Sequence, residues 1–342
     1  MTTRSPYLDA VSGATPAHMP VWFMRQAGRA LAEYRAIRED HDFEDVVHTP
    51  DLTAEVTLQP VRRYGVDAAI LFSDIVTPLQ GIGLPIEIVK GTGPVTDGAF
   101  RTRADVDRLR PLDPDADVPW VLESVAILAA ELGDVPLIGF AGAPFTLASY
   151  LIEGRPSRNY AHTKALMRTD RATWDLLMAR LSDLVATHLV AQVKAGARAV
   201  QLFDSWAGAL TPSDYAEYVQ PWSQHVLARV GDLGVPRTHF GVATGELLGL
   251  MATEVEVIGV DWRVPLDDAR TRVPASVATQ GNLDPTAVLA GVEVARSGAD
   301  DVLARVGDRT DHVFNLGHGV LPATDPGVLA DLVAHVHERT RR

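Results

Sequence analysis

Two arginines near the start of the chain, Arg25 and Arg29, stand four residues apart. The segment that they bound is Arg25-Gln26-Ala27-Gly28-Arg29. If a helix begins within it, both guanidinium groups lie on one helix face, where like charges repel. A substrate with several carboxylates would relieve this repulsion, because each guanidinium can bind a carboxylate through two parallel hydrogen bonds. The alternative is an exposed helix face on which Arg29 pairs with Glu33.

Asp74 stands two positions after the end of the apolar run 68–72, in Phe72-Ser73-Asp74-Ile75. An aspartate at such a position commonly caps the next turn. In a site that excludes water, its carboxylate could instead accept hydrogen bonds from several N–H groups and stabilise a cation that develops during a reaction. Burial without partners would raise its pKa and weaken this role, so the role requires N–H groups or arginines nearby.

Hydroxyl groups follow two other apolar runs. Thr146 and Tyr150 stand four residues apart where the chain passes through a Gly/Pro turn into a predicted helix, and Ser205 follows run 199–203. A tyrosine in this setting is often a packing residue. A nucleophilic serine needs an adjacent base and a G-x-S-x-G turn, neither of which is present, so Ser205 is predicted to donate a hydrogen bond to a ligand.

His318 stands between Gly317 and Gly319, which favours a side chain exposed to a ligand. A structural or solvent-facing histidine is the alternative. No second histidine or acidic residue shows a recognisable metal-ligand spacing to it, so no metal is predicted.

The elements that must position these groups are short apolar runs that alternate with helix-like segments such as 174–195 and 215–230. The runs are 20–24, 68–72, 135–140, 199–203, 237–240, 257–260, 276–280 and 312–316. Continuously apolar runs are typical of parallel strands buried on both faces. The alternation predicts an α/β protein with one TIM-type (β/α)₈ barrel domain over residues 1–342, and a doubly wound open sheet is the competitor. A barrel would bring the polar residues after each run to one mouth, at the C-terminal ends of the strands.

Composition excludes several classes of protein. The chain has no cysteine, which rules out disulfides, thiolate nucleophiles and sulfur-bound metals. Its net charge of −13 argues against nucleic acid or an anionic membrane surface as a partner. No apolar run approaches the ~20 residues of a membrane helix, and the first sixteen residues lack an apolar core, so a cytoplasmic location is expected.

With these residues in view, the sequence resembles the uroporphyrinogen decarboxylase family. The signature is the stretch Pro20-Val21-Trp22-Phe23-Met24-Arg25-Gln26-Ala27-Gly28-Arg29, and further family-like blocks are 72–75, 139–154, 201–208, 239–241, 261–262, 280–285 and 314–326. The blocks follow the family's order along almost the whole chain. Ala30 and Ala32 depart from it, since relatives usually carry Tyr and Pro there, which affects the local shape rather than the reaction.

The resemblance implies a homodimeric, cofactor-independent carboxy-lyase of porphyrin and heme biosynthesis. Its substrate would be uroporphyrinogen III, which loses four acetate carboxyl groups as CO₂ to give coproporphyrinogen III. Arg25, Arg29 and Asp74 match the catalytic positions, the two arginines binding carboxylates and Asp74 binding the pyrrole N–H groups. The implied substrate-binding set is completed by Gln26, Ala27, Gly28, Tyr150, Phe203, Ser205 and His318. Phe203 would form an apolar wall.

Three other functions were weighed against this one. A zinc-dependent corrinoid methyltransferase of the same superfamily needs a His/Cys metal site, and the chain has no cysteine. A Schiff-base aldolase needs a lysine near a strand end, whereas Lys90, Lys164 and Lys194 all fall outside the motif turns. A non-catalytic tetrapyrrole-binding protein remains an alternative that activity distinguishes.

Overall fold

The computed structural model describes residues 5–89 and 91–342, so Lys90 lies outside the described residues. The described strands are β1 Ala69–Ile70, β2 Ile86–Val89, β3 Gly93–Thr96, β4 Leu137–Gly142, β5 Ala199–Asp204, β6 Arg237–Gly241, β7 Val257–Gly259, β8 Ala278–Leu283 and β9 His312–Leu316. Seven of them form a parallel sheet in the order β1-β4-β5-β6-β7-β8-β9. Strands β2 and β3 form a separate antiparallel hairpin that the sequence analysis did not predict.

The predicted first strand, 20–24, is wrong in extent, because only Val21 forms a β-bridge, with Phe314 of β9. Backbone N–H groups that a longer β-ladder would use donate to side chains instead. The Val21 N–H donates to the Asp67 carboxylate at 2.7 Å, and the Met24 N–H donates to the Asn315 side-chain oxygen at 3.1 Å. The segment still joins both edges of the sheet. The N–H of Phe314 donates to the Pro20 carbonyl, and the N–H of Asp67 donates to the Val21 carbonyl, each at 2.8 Å.

The seven-stranded sheet thereby curls and closes through the Val21 segment, and the predicted α/β barrel is confirmed. The described helices are α1 Pro6–Val11, α2 Ala32–Asp40, α3 Phe43–His48, α4 Pro50–Tyr64, α5 Thr77–Gly81, α6 Arg103–Val106, α7 Pro114–Asp117, α8 Pro119–Glu131, α9 Pro144–Glu153, α10 Ala161–Thr169, α11 Arg171–Ala195, α12 Pro212–Tyr218, α13 Gln220–Gly231, α14 Leu248–Met251, α15 Leu266–Arg272, α16 Pro285–Leu289, α17 Val292–Val306 and α18 Pro326–Thr340. Two short 3₁₀ turns lie at Ala207–Ala209 and Gly245–Leu247.

The predicted helix 215–230 is two helices, α12 and α13, that meet at Val219. Pro221 explains the break, because it has no N–H to donate to the carbonyl one turn earlier and is tolerated only in the first turn of a helix, where it stands in α13. The predicted helix 174–195 is the long helix α11. By length and composition α11 could span a membrane, but 56% of its most apolar window is buried inside the protein, as in the core helices of soluble proteins.

Helix α11 fixes strand β4 behind the barrel mouth. The Gln192 side chain accepts from the Phe140 N–H and donates to the Phe140 carbonyl, both at 2.9 Å. A Cβ atom at Gly139 would lie 2.7 Å from the same amide oxygen, so only glycine leaves room for this clamp. The strand whose end leads to Tyr150 is therefore held by a buried pair of hydrogen bonds.

Candidate active site

Residues 25–29 form a tight loop rather than the first turn of a helix. Arg25 has a left-handed backbone conformation with φ of 58°, Gly28 has φ of 149°, and helix α2 begins only at Ala32. The expectation that Arg25 and Arg29 share one helix face is therefore wrong. The competing pair with Glu33 is also absent, since a Glu33 carboxylate oxygen lies 3.9 Å from Arg63 instead.

Gln26 is the reason for the loop. Its buried side chain accepts from the Phe23 N–H at 3.0 Å and donates to the Ala68 carbonyl at 3.1 Å, which ties the loop to the start of β1. Such side-chain bonds to the backbone compete with helix formation. Gln26 thus positions the loop, and its assignment as a substrate contact stays a prediction.

The backbone of the same loop offers donors to an anion. In the described part of the chain, the N–H groups of Ala27, Gly28 and Arg29 donate no hydrogen bond. Successive free N–H groups make a site that favours negative charge. Arg29 itself is exposed, and its carbonyl accepts from Arg35 at 2.8 Å. The loop can therefore hold carboxylates through side chains and backbone together.

Arg25 packs against the glycines that surround His318. A Cβ atom at Gly319 would lie 2.5 Å from Cδ of Arg25, and one at Gly317 would collide with the backbone of Trp262. Glycine is therefore required at both positions because Arg25 and the Trp262 backbone pack closely against them. This requirement is separate from the predicted exposure of His318. His318 is half-buried, and its ring centroid lies 6.1 Å from that of Trp262.

Arg25 is close enough for its charge to act on three of the predicted site residues. Burial raises the pKa of Asp74, and the Val76 N–H and the Arg25 charge oppose that rise. Burial, with help from the charges of Arg25 and Arg263, lowers the pKa of His318 to about 4. Burial and the Asp74 charge raise the pKa of Tyr150 well above its ordinary value, against the effect of Arg25. These groups therefore gather at one mouth, as the barrel geometry requires.

Asp74 has both kinds of partner that its predicted role calls for, a backbone N–H group and an arginine, although they do not outweigh its burial. One carboxylate oxygen accepts from the Val76 N–H at 3.0 Å, which is the expected turn cap, and the Arg25 charge is nearby. The residue keeps some accessible surface at the mouth, yet the protein around it is dense enough to disfavour the ionised form. An unliganded mouth therefore leaves this carboxylate only partly compensated.

Tyr150 is held by a chain of contacts that begins at a buried carboxylate. Asp204 accepts from the Thr146 hydroxyl at 2.9 Å, and that hydroxyl accepts from the Trp206 N–H at 3.4 Å. The Trp206 ring then packs on Tyr150 with centroids 3.9 Å apart. The Thr146 hydroxyl thus supports the site from behind, and Trp206 is a site residue that sequence reasoning missed.

Ser205 and Phe203 extend from the same strand end, β5, and both are half-buried. The Phe203 ring meets Phe140 and Phe240 edge to face, with centroids 5.5 and 6.0 Å apart. Three aromatic rings from neighbouring strands thus form an apolar surface beside the charged groups. Phe203 suits the predicted apolar wall, and the substrate contact of Ser205 stays a prediction.

Arg263 is a third arginine of the mouth that sequence reasoning missed. Its guanidinium stacks over Trp262 at 3.8 Å and donates to Asp261 at 2.8 Å, and its charge contributes to the low pKa of His318. It directly follows the Asp261-Trp262 pair that belongs to the family-like blocks. Its position shortly after the apolar run 257–260 was the sequence feature that could have identified it as a residue of the mouth.

Comparison with known proteins assigns the chain to a family. A family model described as uroporphyrinogen decarboxylase (URO-D) matches residues 2–339. A uroporphyrinogen decarboxylase of Mycobacterium tuberculosis is 57% identical over 348 residues, covering 98% of this chain and 97% of the relative. One from Mycobacterium marinum is 55% identical over 344 residues, with the same coverage.

Among solved structures, a methyltransferase from Methanosarcina mazei has a TM-score of 0.79 at 18% identity, covering 99% of each chain. A putative vitamin-B12-independent methionine synthase from Listeria monocytogenes has a TM-score of 0.56 at 10% identity, covering 95% of this chain and 97% of the other. At these identities the likeness concerns the fold alone. The match over nearly full length is what decides the family: the chain belongs to the uroporphyrinogen decarboxylase family.

Proposed function

We propose that this protein removes the four acetate carboxyl groups of uroporphyrinogen III as CO₂ and releases coproporphyrinogen III. The observation that carries the proposal is the position of Arg25, whose charge acts on Asp74, Tyr150 and His318 at one barrel mouth. A cationic group beside an under-compensated carboxylate suits a substrate that presents both carboxylates and N–H donors.

Substrate carboxylates bind along the 25–29 loop. The guanidinium groups of Arg25 and Arg29 each donate two parallel hydrogen bonds to a carboxylate, and the N–H groups of Ala27 and Gly28 add backbone donors. The exposure of both arginines lets them reach a large ligand. Ser205 and His318 supply further polar contacts.

Asp74 binds the pyrrole N–H groups. Protonation of a pyrrole ring carbon makes an iminium-like electron sink, and CO₂ leaves from the adjacent acetate. Protonation of the resulting methylene gives a methyl group, and loss of the ring-carbon proton restores the aromatic pyrrole, so each acetate consumes one proton. The Asp74 carboxylate stabilises the cationic ring, and the bound N–H groups in turn offset the cost of its burial. The substrate ring provides the sink, so this chemistry calls for no cofactor.

The proton reaches the ring carbon from Tyr150, from His318 or through a water molecule that these side chains orient. With a pKa of about 4, His318 is neutral at physiological pH, and Tyr150 is a phenol of raised pKa. A good general acid has a pKa near the working pH, which neither group has. Both side chains can nevertheless orient a water molecule.

The finer assignments belong to the same proposal. The chain forms one barrel domain over residues 1–342, acts as a homodimer and works in the cytoplasm; their support is the family resemblance. Light scattering of the purified protein tests the dimer, and a mass of one chain would contradict it.

Anaerobic incubation with uroporphyrinogen III, followed by chromatography of the oxidised products, tests the reaction. We expect stepwise appearance of products with seven to four carboxyl groups. Unchanged substrate, from protein shown to be folded by circular dichroism, would overturn the proposal and leave a tetrapyrrole-binding protein.

A further inference from the structure

At the other end of the barrel, two histidines face one carboxylate. Nε2 of His18 lies 2.9 Å from one oxygen of Asp67, and Nε2 of His337 lies 2.7 Å from the other. The imidazole centroids are 3.9 Å apart, and the three possible donor atoms all lie within 4.8 Å of one another. We call His18, Asp67 and His337 the basal cluster.

We propose that the basal cluster is a binding site for a divalent transition-metal ion of the zinc class. Two imidazole nitrogens and one carboxylate oxygen form an established donor set for Zn²⁺, with water in the remaining position. No motif in the sequence signals this site, because Asp67 is 49 residues from His18 and 270 from His337. The inference is independent of the proposed reaction.

The carboxylate of Asp67 is already ionised and oriented. Burial raises its pKa, but hydrogen bonds from His18 and His337 and the Val21 N–H outweigh this, so the pKa lies below its ordinary value. Metal ligands must be deprotonated, and an outer hydrogen bond that fixes a ligand strengthens the site. The Val21 N–H, at 2.7 Å from the carboxylate, is such a bond.

The basal cluster is open to solvent. The His18 and His337 side chains are 25% and 23% exposed, against 9% for Asp67. The partial exposure of both imidazoles gives a hydrated cation access from solvent, and the chain's net charge of −13 favours cations over anions.

Binding would replace the Nε2 protons and needs little movement. Tetrahedral bonds of about 2.0–2.1 Å place ligand atoms roughly 3.3 Å apart. The two histidines contact different oxygens of Asp67, at 2.9 and 2.7 Å, and each of these distances must lengthen by roughly half an ångström. The two imidazole nitrogens, which lie within 4.8 Å of each other, must also settle at about the tetrahedral spacing. His18 lies in a loop and His337 in the last turn of α18, where small shifts cost little.

The test titrates metal-stripped full-length protein with Zn²⁺ by calorimetry at neutral pH, and with Co²⁺ by visible absorption. His18→Gln and His337→Gln retain an N–H donor for Asp67 but remove the metal ligand. His335→Gln is the matched control, since His335 lies on the same helix and pairs with Asp300 at 3.0 Å.

We expect one Zn²⁺ per chain in the unaltered protein and in the control. Affinity should fall at least about tenfold in both cluster variants. Added Zn²⁺ should raise the melting temperature only where it binds. Absence of stoichiometric binding in the unaltered protein, or equal affinity in the cluster variants, would overturn the proposal. The experiment measures metal binding and not turnover. Its result therefore neither supports nor contradicts the decarboxylase proposal, which has its own test.

Discussion

Two aspartates seven residues apart, Asp67 and Asp74, flank strand β1 and lie at opposite ends of the barrel. At the base, Asp67 accepts hydrogen bonds from His18, His337 and Val21, and its pKa is lowered. At the mouth, Asp74 has the Val76 N–H and the charge of Arg25, and its pKa is raised. Both carboxylates suffer burial, but only the basal one has enough partners to outweigh it.

The difference separates a carboxylate whose protein partners outweigh its burial from one whose protein partners do not. Asp67 joins the N-terminal segment and helix α18 to the start of β1, so its bonds stabilise barrel closure. The Asp74 carboxylate accepts a hydrogen bond from the Val76 N–H and lies at the mouth, where N–H groups of a substrate could add further hydrogen bonds. Functional sites often contain buried polar groups of this kind, because the bound ligand provides the hydrogen-bond partners that the fold does not.

The largest expected effect is from Asp74→Asn. Because the mouth would lose the charge that we propose stabilises the cationic ring, turnover should fall about 10²- to 10³-fold. Stability should not fall. A raised folded-state pKa means that the fold favours protonated Asp74, so its ionisation costs stability as pH rises from the unfolded-state pKa through the folded-state pKa, and the neutral amide avoids this cost. Steady-state assays and melting temperatures at neutral pH check both parts, and near-normal turnover would contradict the role.

Arg25→Gln should lower kcat/KM by about 10- to 100-fold, since a charge-assisted bond to a carboxylate is worth about 1.5–3 kcal/mol. It should also raise the pKa of His318 from about 4, because the Arg25 charge contributes to that low value. Arg29→Gln is the matched control, expected to weaken carboxylate binding without moving the His318 titration. Proton NMR of the histidine ring measures the difference, and equal shifts in both variants would argue against the assigned position of Arg25.

Asp67→Asn should reduce the free energy of unfolding by about 1.5–3 kcal/mol at neutral pH in metal-free protein. The lowered pKa means that the contribution of Asp67 is present above its unfolded-state pKa and is lost as pH falls through the folded-state value. The difference in free energy of unfolding between the variant and the unaltered protein should therefore become smaller at acid pH. Denaturant unfolding at several pH values checks this, and a gap independent of pH would contradict it.

The smallest effect concerns the support behind Tyr150. Thr146→Val removes the hydroxyl that links Asp204 to the Trp206 N–H, and should cost about 1 kcal/mol of stability with a modest loss of turnover. Thr146→Ser keeps the hydroxyl and should behave like the unaltered protein. Equal losses in the two variants would show that the methyl group, rather than the hydroxyl, matters.

The barrel and the gathering of its mouth residues could be predicted because both follow from local pattern. Continuous apolar runs indicate parallel strands, and the C-terminal ends of parallel strands converge. Asp74, Ser205 and His318 each follow such a run closely and lie at the strand ends expected of them. Sequence and general geometry together were sufficient for these assignments.

What could not be predicted depends on contacts between distant residues. The 25–29 loop is set by the bond from Gln26 to the Ala68 carbonyl, 42 residues away, which no helical spacing signals. The basal cluster spans most of the chain for the same reason. The short hairpin of β2 and β3 lies outside the barrel and lacks the alternation of strand and helix that identified the other strands.

The most direct test of the contrast between the two ends is the titration of both carboxyl groups in one sample. Carbon-13 NMR of labelled aspartate side chains, with Asp74→Asn and Asp67→Asn to assign the signals, follows each group as pH falls from neutral. We predict that Asp74 titrates above the ordinary aspartate pKa of 3.8 and that Asp67 titrates below it. Titration of Asp67 at a higher pH than Asp74, or of both at the same pH, would contradict the account. It would show that the hydrogen bonds of Asp67 do not offset burial better than those of Asp74.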